Sequence, residues 1–265
     1  MKNLEDNNIR KMKFFGDTHL GNFREENQDN FSIVEYDSAV CLTVCDGMGG
    51  ENGGSIASDI AVRSFNEFIS KRIEENCGEP TEPQEIVNML SDAVSFAHEK
   101  VKEKARQSEE LEGMGTTLVS AFVTKNGTYV TNIGDSRCYI LDLNNFVKVT
   151  KDHSMVQELV DLGMINEEDA EKHPQKNVIT RAIGIDFDMK ADIYFVSLFD
   201  SLLLCSDGLT NMVDTDEIKS IVLDKITPEE AVEKLISKAR ENGGYDNITV
   251  ALIKEELWCL KKTAF

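Results

Sequence analysis

Apolar positions along the chain change period several times, and each change marks an element. FSIVEY (31–36) and AVCLTVC (39–45) are short, rich in β-branched and apolar residues, and closed by turn residues, which predicts a pair of strands. After the glycines at 47–54, Ile56, Ile60, Phe65, Phe68, Ile69 and Ile73 recur at helical spacing, so a helix is predicted from residue 55. A second helix follows the Glu79–Pro83 break, with Ile86, Leu90, Val94, Ala97 and Val101 on one stripe. The period then returns to strand. TTLVSAFV (116–123) and TYVTNI (128–133), joined by Asn126-Gly127, read as a hairpin, and RCYILDL (137–143) continues the meander. Residues 151–184 are polar and irregular, an insertion with two short helices. DIYFVSL and SLLLCS (192–206) are strands again. Thr227, Pro228 and Glu230 form a capping-box start, the helix runs to about Arg240, and NITVALI (247–253) is the last strand.

Helices fall in adjacent pairs rather than between successive strands. That predicts two sheets flanked by helices, an α+β arrangement, and not a doubly wound parallel sheet. No Pro/Gly/Ser linker divides the chain, so residues 1–265 are expected to form one domain. At this length, about 73% of the unfolded surface can be buried, and a core needs no disulfide staples.

Charge narrows the partners. With 28 basic and 48 acidic residues the net charge is −20, which repels nucleic acid and anionic lipid and leaves divalent cations as natural counter-ions. The N-terminal MKNLEDNNIRKMK has no apolar stretch behind it, and no apolar run reaches the roughly 18 residues that span a bilayer, so a cytoplasmic protein is expected. The six cysteines form no CxxC pair and no cluster with histidine. Cys41, Cys45 and Cys205 lie in apolar runs and read as small hydrophobes, so neither a zinc site nor a disulfide framework is expected.

One chemical feature repeats. LTVCDG places Asp46 at a strand end, LLLCSDG does the same for Asp207, and TNIGDSR presents Asp135 from a third strand. Asp246 in GGYDNITV precedes the last strand, and Asp29 in REENQDN precedes an early one. A single Asp-Gly is ordinarily a surface turn. Several carboxylates grouped at strand ends repel one another unless cations lie between them, and an all-oxygen donor set suits Mg²⁺ or Mn²⁺. The glycines of DGMGGENGG (46–54) lack the Lys-Ser or Lys-Thr of a P-loop and the acidic spacing of an EF-hand. They read instead as backbone able to approach an ion closely. Arg24, five residues before Asp29, is a candidate for bidentate bonds to phosphate, or else a solvated surface arginine.

Seven ordered blocks, REENQDN, DGMGGENGGSIAS, GMGTTLVSA, TNIGDSRCYIL, KDHSMVQELV…HPQKNVITRAIG, LLLCSDGLTNMV and GGYDNITV, together resemble the protein phosphatase 2C family, bacterial type, over about residues 14–253. The resemblance implies a four-layer α/β/β/α sandwich of two antiparallel sheets, with residues 151–184 as a flap beside the site. It implies a phosphoprotein phosphatase that hydrolyses phosphoserine and phosphothreonine by in-line attack of a hydroxide bridging two Mg²⁺ or Mn²⁺ ions. Asp46 would bridge these ions, the Gly47 carbonyl would join one of them, and Asp207 and Asp246 would complete the pair. Asp135, with Asp207, would hold a third, weaker ion. Asp29 would act through a metal-bound water, and Arg24 would hold the phosphate. Implied partners are phosphorylated proteins made by a serine/threonine kinase, met by a monomer, with no nucleic acid or membrane.

The chain departs from the family pattern in two places. Met48 stands where eukaryotic members carry a histidine proposed as general acid, and Glu51 and Asn52 fill the nearby stretch, so the acid is unassigned. Gln28 replaces a common glutamate. His98 reads as a packing residue, and His153, His173, Thr180 and Arg181 as structural anchors of the flap. The rival readings are a regulatory pseudophosphatase on the same fold, and a phosphohydrolase of different specificity.

Overall fold

Side-chain alternation along the central strands sets the architecture of the computed structural model, which describes residues 12–76, 78–142, 145–185, 190–197 and 199–255. In β3 (Ala39–Met48), Cys41 and Cys45 face one way and Val40, Leu42 and Val44 the other, and both rows are buried. A strand buried on both faces must lie between layers. On the outer side pack the long helices α1 (Gly50–Glu75) and α2 (Pro83–Ala105), through Phe65, Ile69, Leu90 and Val94. On the inner side lies a second sheet.

The first sheet runs β2 (Asp29–Glu35), β3, β5 (Leu118–Thr124), β6 (Gly127–Ile133), β9 (Asp192–Val196), with the short β4 (Gly115–Thr116) paired to the end of β3. The second runs β1 (Met12–His19), β11 (Ile248–Glu255), β10 (Ser201–Cys205), β7 (Arg137–Asp142), β8 (Asn145–Lys148). Neighbours in both sheets are antiparallel. The outer face of the second sheet is covered by α6 (Thr215–Leu223) and α7 (Pro228–Glu241), whose Ile218, Val232 and Leu235 are fully buried. Three apolar layers between four structural layers result, the expected α/β/β/α sandwich. The insertion between β8 and β9 carries two short helices, α3 (Met155–Asp161) and α4 (Glu167–Glu171).

Several boundaries differ from expectation. Helix α1 starts at Gly50, not at residue 55. Asp29 is the first residue of β2 rather than its predecessor, and Asp46 lies inside β3, which continues to Met48 because β4 takes over as its partner. Strand β1 is an edge strand of half-buried and exposed positions, so MKFFGDTH shows no clean alternation. Helix α6 and the one-turn α5 (Asp207–Thr210) are too short for periodicity to reveal. Of the six cysteines, Cys41, Cys45, Cys138 and Cys205 are free and buried; Cys77 and Cys259 lie outside the described residues. No helix among the described residues is long and apolar enough to cross a membrane.

Candidate active site

The register brings the ends of β1, β3, β6 and β10, and the starts of β2, β7 and β11, to one end of the sandwich. Asp29 lies directly opposite Asp46 in the β2–β3 ladder. Cys205, the last residue of β10, pairs with both Arg137 and Val250. Asp207 therefore follows β10 at the edge where Asp135 precedes β7 and Asp246 precedes β11.

Asp29 joins the two sheets. Its Oδ2 accepts from Ser206 Oγ and from Thr249 Oγ1, each at 2.7 Å. Thr249 spends its proton on Asp29, so Thr18 Oγ1, at 2.6 Å, must donate to Thr249 Oγ1, and Thr18 accepts from Asn27 Nδ2 at 2.9 Å. This row of donors fixes one carboxylate oxygen. The other, Oδ1, is buried and has no hydrogen-bond partner. Asp46 is held through its backbone: its N–H donates to Thr117 Oγ1, and its carbonyl accepts from Thr117 N–H and Thr116 Oγ1. None of these bonds uses the Asp46 carboxyl. Gly47 has no room for a side chain, because a Cβ would lie 2.0 Å from Gly54 O and 2.6 Å from Gln28 O.

Asp207 opens α5, and its Oδ2 accepts from Asn211 Nδ2 at 2.9 Å. Asp246 Oδ1 accepts from Asn247 N–H, and its Oδ2 takes a 2.8 Å ion pair from Arg24 Nη2, whose side chain is 53% exposed. Asp135 sits in the Gly134–Ser136 turn between β6 and β7, half-buried. Next to it, Arg137 is clamped by Asp152 at 2.7 Å.

Asp29, Asp46, Asp135 and Asp207 hold protons tightly. Burial first, then Asp207 and Asp246, push Asp29 up to about 7. Burial and the neighbouring Asp207 push Asp135 up to about 8. Asp46 is raised well above the carboxylate range by burial, with Asp29, Asp207, Asp135 and Asp246 all adding to it. Asp207 is raised by burial and by Asp246, so a proton on one carboxyl of the group relieves the repulsion felt by the others. A cation does the same work as that proton. Among the described residues no three acidic, histidine or cysteine side chains close into a ready-made ion cage. The donor chemistry nonetheless fits hard divalent ions: all-oxygen ligands, mutual repulsion, and one orphaned buried carboxylate oxygen. The pocket lined by Arg72, Asn76, Pro80, Glu85, Asn88 and Met89 shares no residue with this cluster.

The sequence reading missed the residues that build the frame. Asn247 accepts from Gln28 N–H through Oδ1 and donates through Nδ2 to Leu20 O and Glu26 O, tying the β1–β2 loop to the loop before β11. Ser206, Thr249, Thr117 and Asn211 were also unflagged. For Ser206, Asn211 and Thr249 the one signal was nearness to an aspartate, as in SDGLTN and DNIT, and Thr117 had none. Side chains also tie down the 151–184 insertion. His153 Nδ1 accepts from Gly134 N–H, and its Nε2 lies 3.2 Å from Asp192 Oδ2. The Thr180 N–H donates to His153 O, and Arg181 reaches Asp192. His98, on α2, accepts from Gly184 N–H. At the flap's other side, Lys176 Nζ donates to Asn211 Oδ1, the residue that holds Asp207.

Fold and site together define a two-sheet sandwich with grouped carboxylates and a guanidinium at one end. The protein phosphatase 2C profile matches residues 15–243, and the chain belongs to the protein phosphatase 2C family of serine/threonine phosphatases. It is 39% identical over 243 residues to the serine/threonine phosphatase stp of Listeria welshimeri, covering 91% of this chain and 94% of that protein. The S. agalactiae serine/threonine phosphatase superposes with a TM-score of 0.82 at 33% identity, covering 92% of this chain and 99% of the other. The catalytic domain of the phosphatase PstP, in complex with two manganese ions, superposes with a TM-score of 0.77 at 29% identity, covering 92% and 97%.

Proposed function

We propose that the chain removes phosphate from phosphoserine and phosphothreonine in proteins, using two Mn²⁺ or Mg²⁺ ions and a third held more weakly. The observation that carries this reading is the grouping of Asp29, Asp46, Asp135, Asp207 and Asp246 at one end of the sandwich, with Asp29 directly opposite Asp46 and one buried Asp29 oxygen without a partner. Asp46, the Gly47 carbonyl, Asp207 and Asp246 would hold the two ions, and Asp135 with Asp207 the third. When bound, the ions supply a hydroxide for in-line attack on phosphorus and neutralise charge on the phosphoryl oxygens.

The chain's own groups do the rest. Asp29, with Oδ2 fixed by two hydroxyls, presents Oδ1 to orient water. Arg24 already grips a carboxylate oxygen with half its side chain in solvent, so it can exchange that partner for a phosphate monoester. Met48 has no proton to give, so the leaving alkoxide takes its proton from water. Identity of the substrate protein is set by the flap and outer surface, since the groups named here meet only phosphate and ions. The expected setting is a cytoplasmic monomer opposing a serine/threonine kinase.

Asp46→Asn tests this reading. It should keep the fold, remove the rise in melting temperature that Mn²⁺ gives the wild type, and lower turnover of a phosphothreonine peptide by orders of magnitude. Equal Mn²⁺ stabilisation and equal turnover in the two proteins would overturn it.

A further inference from the structure

Two solvent-exposed aromatic rings are the chain neighbours of the Arg24–Asp246 pair. Phe23 is 66% exposed and Tyr245 61% exposed, and they stack on each other with centroids 5.0 Å apart and planes 21° from parallel. Each is the chain neighbour of one member of the 2.8 Å ion pair. An exposed pair of large rings has apolar area that folding leaves uncovered.

The rings are held in place by the loops beneath them. The Asn22 N–H donates to Gly244 O at 2.7 Å, and Asn22 Nδ2 donates to Arg240 O and Gly243 O at 2.8 and 3.0 Å. Gly21 has φ +83°, and a Cβ there would lie 2.2 Å from Asp246 O, so the two loops are pressed together to a depth only glycine allows. The result is a stiff apolar ledge attached to the guanidinium.

We propose that the Phe23–Tyr245 ledge is a specificity subsite that takes an apolar side chain flanking the phosphorylated residue of the substrate. The proposal rests on the reading of Arg24 as the phosphate-binding group. In an extended peptide, the residues one and two positions from the phosphoresidue lie about 4–7 Å along the chain, and Phe23 and Tyr245 are the chain neighbours of Arg24 and of its ion-pair partner. An apolar flank is favoured over a basic one because two guanidiniums already adjoin the Phe23 loop. Arg24 follows Phe23, and the Arg240 Nε–H donates to Asn22 Oδ1. Stacked rings lose little side-chain freedom when they receive such a residue, which makes them efficient anchors.

The test compares phosphothreonine peptides identical except for the flanking residue (leucine or phenylalanine, alanine, arginine, glutamate), with N-acetyl-phosphothreonine amide as a substrate without flanks. Wild-type kcat/KM should favour the leucine and phenylalanine peptides over the alanine peptide by about five- to thirtyfold, the range for covering one apolar side chain. The Phe23→Ala/Tyr245→Ala double variant should abolish that ratio while leaving the amide substrate unchanged, and Tyr245→Phe should retain it. No flank preference in the wild type, a preference for arginine, or a ratio that survives in the double variant would each overturn the subsite. The wild-type panel decides even where the double variant folds poorly. Arg24→Ala separates the two readings: it should lower all substrates alike, the flankless amide included. An unchanged amide in Arg24→Ala refutes the phosphate role, while the flank ratio still decides the ledge.

Discussion

The roles proposed for Arg24 and Asp135 can be separated by single substitutions. Arg24 donates to Asp246 in a partly exposed pair, and an exposed pair of that kind contributes little to stability. Arg24→Ala should therefore change stability by no more than about 0.5 kcal/mol. It should lower kcat/KM on a phosphothreonine peptide about ten- to a hundredfold, the worth of a charge-assisted bidentate contact. Arg24→Lys should recover only part, since a point charge cannot reproduce the planar fork. Steady-state kinetics beside thermal melts check both numbers. Asp135 makes a prediction about pH. With its proton held up to about 8 in the folded chain, the metal-free native state binds more protons than the unfolded state between roughly pH 4 and 8. Stability from this group is thus full below the unfolded value and is lost as pH rises through the folded one. In EDTA, urea unfolding at about pH 5 and about pH 8 should show a smaller loss for Asp135→Asn than for wild type; an equal or larger loss contradicts the assignment. The aspartates were legible because each sits in a short apolar-strand context. Asn247, Ser206 and Thr249 were not, because a hydroxyl or amide in a sequence carries no sign of which distant loop it will bond.

Elements with a clean period were read correctly, and those positioned by tertiary contact were not. Helix α2 shows an apolar stripe from Ile86 to Val101 and was legible in full. The α1 start was hidden, since four of the residues between 47 and 54 besides Gly47 itself are glycine, the poorest helix former short of proline. Their place in the structure explains the choice: Gly47 and Gly54 lie in backbone contact, closing the turn that carries the Asp46 strand into α1. Gly47→Ala is accordingly predicted to destabilise by about 1–3 kcal/mol, the usual range for overpacking, and to weaken Mn²⁺ binding by displacing the Gly47 carbonyl. Denaturant unfolding and a Mn²⁺ titration followed by melting temperature test this, and wild-type behaviour in both would show that the close approach is dispensable. Strand β1 escaped notice for a different reason. It is an edge strand whose register with β11, Met12↔Glu255 to His19↔Ile248, is fixed by its partner rather than by its own pattern.

At the scale of the molecule, the two sheets meet where carboxylates from β2, β3, the β6–β7 turn, α5 and the loop before β11 share one end, and a net charge of −20 adds to their repulsion. The sandwich is stable as a frame because its three apolar layers are filled. The site end is the part that needs counter-charge. Divalent ions that bind the native state alone should raise stability by about 2.7 kcal/mol at a hundredfold excess over Kd, seen as a concentration-dependent melting temperature.

The most direct measurement of the central claim is turnover of a phosphothreonine peptide by exhaustively chelated protein, titrated back with Mn²⁺. The account predicts no turnover in chelator and saturable recovery as Mn²⁺ is added. Full turnover after chelation, with no response to added ion, would contradict it.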